Sequence, residues 1–292
     1  MTQLIQALSD ISDRYEAIFV DLWGCVHDGV RAIPSAVAAL QAYRSTDGAV
    51  ILVTNSPKPQ AGVEDQIRNQ FGVPNDAWDS IASSGDSARS AMFRGAVGQK
   101  VYFMGDWERD HVFFDPLKLL QDPVEIGLVP LADAEGIVCC GPFDSLADPA
   151  VNRADFLFAK TKGMKLLCAN PDIVVDRGEV REWCAGALAR LYTEMGGDSL
   201  YFGKPHPPIY DLAWRRLAAL GRDVSNASIL AIGDGIHTDI AGAMGEGIDS
   251  LFITGGLAAK ETQTDGQPEP DALNTYLAQE GQDPTFAIGH LR

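Results

Sequence analysis

Few cysteines, no long apolar run and a shortage of positive charge set the first limits on this chain. The five cysteines (Cys25, Cys139, Cys140, Cys168 and Cys184) are an odd number, without CxxC spacing or neighbouring histidines. A disulfide framework and a zinc site are therefore both poor readings. Cys139, Cys140 and Cys168 fall inside apolar, strand-like runs and read as reduced core residues, which fits a cytoplasmic location. No uninterrupted apolar stretch approaches the length of a bilayer span, so no membrane partner is expected. The first residues, MTQLIQALSDISDRYEA, lack the basic start and apolar core of a secretory signal. Lys and Arg total 23 against 40 Asp and Glu, a net charge of -17. Such a balance argues against nucleic acid as a partner. An anionic ligand would need a local cation or metal to reverse the sign in its site.

What the chain does contain is an alternation of short β-prone runs and helical stretches over 292 residues, 46% hydrophobic and 22% charged. That length suits one large core or two unequal domains. Leu4 to Tyr15 has helical spacing of apolar residues. Ala17 to Val20 reads as a buried strand, Pro34 to Tyr43 as a helix with Pro near its start, and Ala49 to Val53 as a second buried strand. Gln60 to Phe71 reads as a helix and Ser80 to Ser84 as a short strand, with Ser83-Ser84-Gly85-Asp86 as a helix start. A second block has strands at Lys100–Met104, Gly136–Cys140 and Lys165–Cys168, and helices at Asn152–Lys162 and Glu182–Met195. A third block resumes the first pattern. Its strands lie at 200–202, 228–232 and 250–253, with a last one at 285–288, and helices fall at 209–220 and 272–277. The alternation implies parallel strands joined by right-handed crossovers.

Four of these strands end in polar side chains: Asp21, Thr54-Asn55-Ser56, Lys204 and Asp234. In an open α/β sheet, ligands sit beyond the carboxyl ends of the strands. A lone Asp after a strand is as readily a helix cap or turn residue. Two carboxylates can hold a magnesium-type cation that keeps waters for a phosphate. Hydroxyl, amide and ammonium donors can hold phosphate oxygens, and glycines near Asp21 and Asp234 let backbone N–H groups approach an anion.

The segments VDLWG, VTNSP, FGKPHPPIY and IGDGIHTDIAGAMGEGI, in that order, resemble the four motifs of the haloacid dehalogenase-like (HAD) hydrolases. The CANPD segment, Cys168 to Asp172, resembles a cap stretch of the subclass IIA, NagD-like sugar and nucleotide phosphatases. The resemblance implies an α/β fold: a Rossmann-like core from residues 1–86 and 196–292, with an inserted α/β cap of the C2 type at 87–195. It makes Asp21 the nucleophile of a phosphatase acting on a small phosphorylated substrate, with Lys204 and Thr54 assisting. Mg2+ would be held by Asp21, the Trp23 carbonyl and Asp234, with Asp239 either joining through water or orienting Lys204. Thr54, Asn55, Ser56 and Lys204 would hold phosphoryl oxygens, and Asp172 is as readily a turn residue as a substrate contact. His206 reads as part of a structural loop and Gly255-Gly256 as a turn. A homodimer through the cap stays open.

One departure matters. Family phosphatases usually read Asp-x-Asp, and the second Asp is the general acid; here that position is Trp23. The carbonyl ligand survives, but the proton relay is lost, a loss of about 10²–10⁴ in rate. His27 or Asp28 could substitute if the turn folds back, although His27 reads as a turn or surface residue. The leading expectation is a slow or specialised phosphatase working through an aspartyl phosphate. The alternatives are a noncatalytic phosphoryl-ligand binder and, further off, a dehalogenase, because Asp-Leu-Trp-Gly is similar to the Asp-Ala-Tyr-Gly of that branch.

Overall fold

A computed structural model describes residues 2–116, 122–177 and 180–292. It divides the chain into two compact units, one of residues 1–54, 64–82 and 210–292, the other of residues 55–63 and 83–209.

The first unit is built on a seven-stranded sheet. Its spatial order is Gln3–Leu4, Phe286–Ile288, Asp249–Ile253, Ile229–Gly233, Ala17–Val20, Ala49–Thr54 and Ser80–Ser83. The pairs whose register is resolved are parallel. Ala17–Val20, Ala49–Thr54 and Ile229–Gly233 are buried at every position, which is why they read as unbroken apolar runs. From Ala17–Val20 the chain steps outward one way, and from Ile229–Gly233 it steps outward the other way. The strand order therefore reverses between these two neighbours.

The second unit carries a five-stranded parallel sheet in the order Asp198–Tyr201, Lys165–Cys168, Gly136–Cys139, Lys100–Met104 and Gly127–Leu128. A hairpin of Val174–Arg177 and Val180–Trp183 adds a separate antiparallel pair.

Several segments depart from the sequence reading. Leu4–Tyr15 is not a helix. Gln3–Leu4 is an edge strand, followed by 3₁₀ turns at Leu8–Asp10 and Ser12–Arg14. The Asp10 carboxylate accepts the N–H groups of Gln6 (2.8 Å) and Ala7 (3.0 Å), and the i, i+3 pair Leu8 and Ile11 is buried equally well by a 3₁₀ turn. The segment read as one helix from Glu182 begins as strand, and the helix itself is Ala185–Glu194, because the N–H groups of Trp183 and Cys184 bond to Ser145 and Ile173. The strand before Lys204 belongs to the second unit: Asp198–Tyr201 pairs with Lys165–Cys168. Residues 55–63 and 83–86 also fall there, tied by Gly85 N–H to Ser56 O (3.0 Å) and Gln60 N–H to the Asp86 carboxylate (3.1 Å). The packed units thus divide the chain earlier and later than 86/87 and 195/196. Among the described residues, no helix is long and apolar enough to cross a membrane.

Candidate functional site

Asp21 and Asp234 leave the first unit's sheet at the point where strand order reverses. Val20 is paired with Ile232, and Asp21 N–H donates to Ile232 O at 2.8 Å. The shared register sends both side chains off the same end of adjacent strands. The two aspartates are only 8% and 5% exposed, and Cys25 is 1% exposed. One ligating atom from each of Asp21, Cys25 and Asp234 lies within 4.8 Å of the others. Two buried carboxylates at such a separation make an environment that a divalent cation neutralises.

The backbone closes tightly round Asp234. A Cβ on Gly24, which has φ +73°, or on Gly256 would collide with the Asp234 carboxylate. Leu257 N–H donates to Asp234 Oδ2 at 3.1 Å. Gly256 therefore does more than shape a turn: it is the space Asp234 occupies. This cradle and its oxygen donors fit a magnesium-type ion, whereas the thiol is a donor such an ion does not need. Asp239 is buried but outside the trio. Its Oδ2 accepts Gly235 N–H at 3.1 Å, which braces the turn that follows Asp234. Thr54 ends the strand beside Ala17–Val20 and is also buried.

The Trp23 side chain folds back over its own loop. Its ring lies edge-on to His27 with centroids 5.2 Å apart, and a Cβ on Gly29 would press into it at 2.6 Å. His27 is not a surface residue: it is 3% exposed, with its ring 4.3 Å from that of Phe71. Its Nδ1 accepts Gly29 N–H at 3.1 Å. Burial lowers its pKa from the usual 6.5 to about 4, against a weak opposing pull from Asp28. His27 is thus neutral near pH 7. Asp28 is exposed and accepts the N–H groups of Arg31 (2.8 Å) and Val30 (2.9 Å), which hold its carboxyl below the ordinary range. Neither group is poised to give up a proton at neutral pH.

His27 should leave a mark on stability. A histidine held neutral by the fold contributes no penalty above the unfolded value of 6.5, and stability falls as pH drops from there toward 4. The full loss is about 3 kcal/mol. Denaturant midpoints compared at pH 7 and below pH 5 should show this loss in the wild type and a smaller one in His27→Gln. An equal loss in both would refute the assignment.

Within the second unit, Asn55, Asp172 and Lys204 come together. Asn55 Nδ2 donates to Asp172 Oδ1 (2.8 Å) and to Lys204 O (3.2 Å), while its Oδ1 accepts Lys204 N–H (2.7 Å). Both ends of the amide are thus engaged with the Lys204 main chain, and Asp172 holds the amide in place. A Cβ on Gly203 would strike Asn55 Oδ1, so this glycine permits the close approach. Ser56 accepts Lys58 N–H through Oγ at 3.3 Å. His206 stacks on Tyr201 with centroids 4.8 Å apart, in keeping with a structural loop. The residue that sequence reasoning missed is Cys25; its signal was its place four residues after Asp21 in the same short loop.

A family model described as haloacid dehalogenase-like hydrolase matches residues 18–114, and a second, HAD-hydrolase-like, matches residues 201–279. A haloacid dehalogenase-like hydrolase of known structure from Brucella suis is 38% identical, covering 99% of this chain and 100% of that one with a TM-score of 0.84. The ribonucleotide monophosphatase NagD of Escherichia coli is 23% identical over 80% of this chain and 85% of its own length. The 5'-nucleotidase YutF of Bacillus subtilis is 24% identical over 90% of this chain and 98% of its own.

Proposed function

The chain belongs to the haloacid dehalogenase-like hydrolases, on their NagD-like phosphatase branch, and we propose that it hydrolyses a small phosphorylated metabolite with Mg2+ through an aspartyl phosphate on Asp21. The observation that carries this reading is the pair of buried carboxylates, Asp21 and Asp234, held at one end of adjacent strands where the chain order reverses. The relatives' names, a monophosphatase and a nucleotidase, support a phosphate monoester as substrate.

In this reading an Asp21 oxygen attacks phosphorus, the bond to the leaving oxygen breaks, and water then hydrolyses the acyl phosphate. Thr54, Asn55, Ser56 and Lys204 hold phosphoryl oxygens. Asp172 acts on Asn55, which in turn fixes the Lys204 main chain. Asp21, the Trp23 carbonyl and Asp234 would hold the cation, with Asp239 bracing the Asp234 turn or joining through water. When bound, the cation neutralises charge on the phosphoryl group.

With Trp23 in the acid position, and neither His27 nor Asp28 able to replace it, the leaving oxygen departs without a proton from the protein. Para-nitrophenyl phosphate, whose leaving group needs none, should therefore surpass a sugar phosphate in kcat/KM by about 10²–10⁴. Phosphate release with Mg2+ on the two substrates tests this. Equal rates would remove the missing-acid reading. Magnesium-dependent binding without any release would favour the noncatalytic binder.

A further inference from the structure

The phosphoryl transfer proposed above gives the thiol of Cys25 no step to perform. It nevertheless sits in the Asp21 loop, 1% exposed, with its sulfur within 4.8 Å of a carboxylate oxygen of both Asp21 and Asp234. We infer that Asp21, Cys25 and Asp234 form a mixed oxygen–sulfur site for a thiophilic divalent cation of the Zn2+ or Co2+ class, which competes with Mg2+ for the two carboxylates. The inference rests on reading Asp21 and Asp234 as the metal-binding carboxylates.

Donor chemistry separates the two ions. Mg2+ takes oxygen ligands in near-octahedral geometry, keeps its waters and gains little from sulfur. Zn2+ takes thiolate at about 2.3 Å and carboxylate oxygen at about 2.0–2.2 Å in a tetrahedron. Ligand atoms in such a tetrahedron are about 3.5 Å apart, inside the 4.8 Å spread of this trio. The fourth position is left to water or to a phosphate oxygen. Gly24 and Gly256 lack the Cβ atoms that would collide with the Asp234 carboxylate, so that ligand is fixed for either ion. The backbone thus packs against one wall of the trio and holds that carboxylate in place. Binding converts the Cys25 thiol to thiolate, and its proton passes to solvent. A thiophilic ion held by this trio displaces Mg2+ from Asp21 and Asp234 and so inhibits Mg2+-supported turnover.

Cobalt reads the sulfur ligand directly. Adding Co2+ alone to the reduced full chain should produce a saturable thiolate-to-cobalt charge-transfer band in the near ultraviolet, which Zn2+ abolishes. Cys25→Ser should lose the band, and its Zn2+ affinity should fall by more than the ~10–100-fold that changes outside a metal's own ligands produce. Cys184→Ser, which alters a buried thiol in the other unit, should keep the band. If Cys25→Ser does not fold, Asp234→Asn with the thiol intact must weaken the band instead. A wild type without the band, or a band that survives in folded Cys25→Ser, overturns the proposal. The band does not depend on turnover: a chain that shows it but releases no phosphate contradicts the hydrolase reading alone, and one that releases phosphate without the band contradicts this site alone.

Discussion

Trp23→Asp is expected to raise kcat/KM on sugar and other alkyl phosphates by about 10²–10⁴, while para-nitrophenyl phosphate changes little. The substitution restores a carboxyl two residues after Asp21 and leaves the main-chain carbonyl of that residue in place. Beside two buried carboxylates the new group is held partly protonated, the state a general acid needs. The asymmetry between substrates is the decisive part, because only the poor leaving group benefits from protonation. The change also removes a ring that packs over Gly29 and beside His27. A fully buried ring lost to a small side chain is worth about 3–5 kcal/mol, and Trp23 is only partly buried, so the penalty should fall below that range. Rates should be read beside a thermal melt, so that loss of folded protein is not mistaken for loss of chemistry. A gain shared equally by both substrates, or no gain on the alkyl phosphate, would sink the argument.

Asp21→Asn should have the opposite and larger effect, a fall of about 10⁴–10⁶ on every phosphate tested, the scale on which removing a covalent nucleophile acts. Asn has nearly the same shape, and the bond from residue 21 N–H to Ile232 O uses the main chain, so the sheet should survive. Mass spectrometry of quenched reactions should find phosphate on the Asp21 peptide of the wild type and none on the variant. Activity retained within about tenfold would place the chemistry elsewhere. Two substitutions in one short loop are thus expected to move rate in opposite directions, which a general loss of stability cannot mimic.

Much of this was legible in the residues. Unbroken apolar runs at Ala17–Val20, Ala49–Val53 and Ile229–Ile232 read as strands buried on both faces, and the structure buries each of them at every position. Asp21 and Thr54 follow the first two directly and Asp234 follows the third after Gly233, and these polar side chains mark the carboxyl end of the sheet. His27 was misjudged because its partners, Trp23 and Phe71, reach it only when the loop closes on a helix end more than forty positions away. Leu4–Tyr15 was misjudged because Gln3–Leu4 finds its partner in Phe286–Ala287, at the other end of the chain. The strand before Lys204 looked like a resumption of the first block, and only its pairing with Lys165–Cys168 assigns it to the second unit.

By itself, the order of residues determined the parallel α/β alternation and the family, and it named the candidate side chains, because local hydrophobic period and short motifs are properties of neighbours in the chain. Tertiary structure alone decided that Val20 lies against Ile232, that Cys25 joins the two aspartates, and that Asn55 grips the Lys204 main chain. Those outcomes depend on strand register and loop closure between distant segments, where a shift of one residue would turn the same side chains to another face.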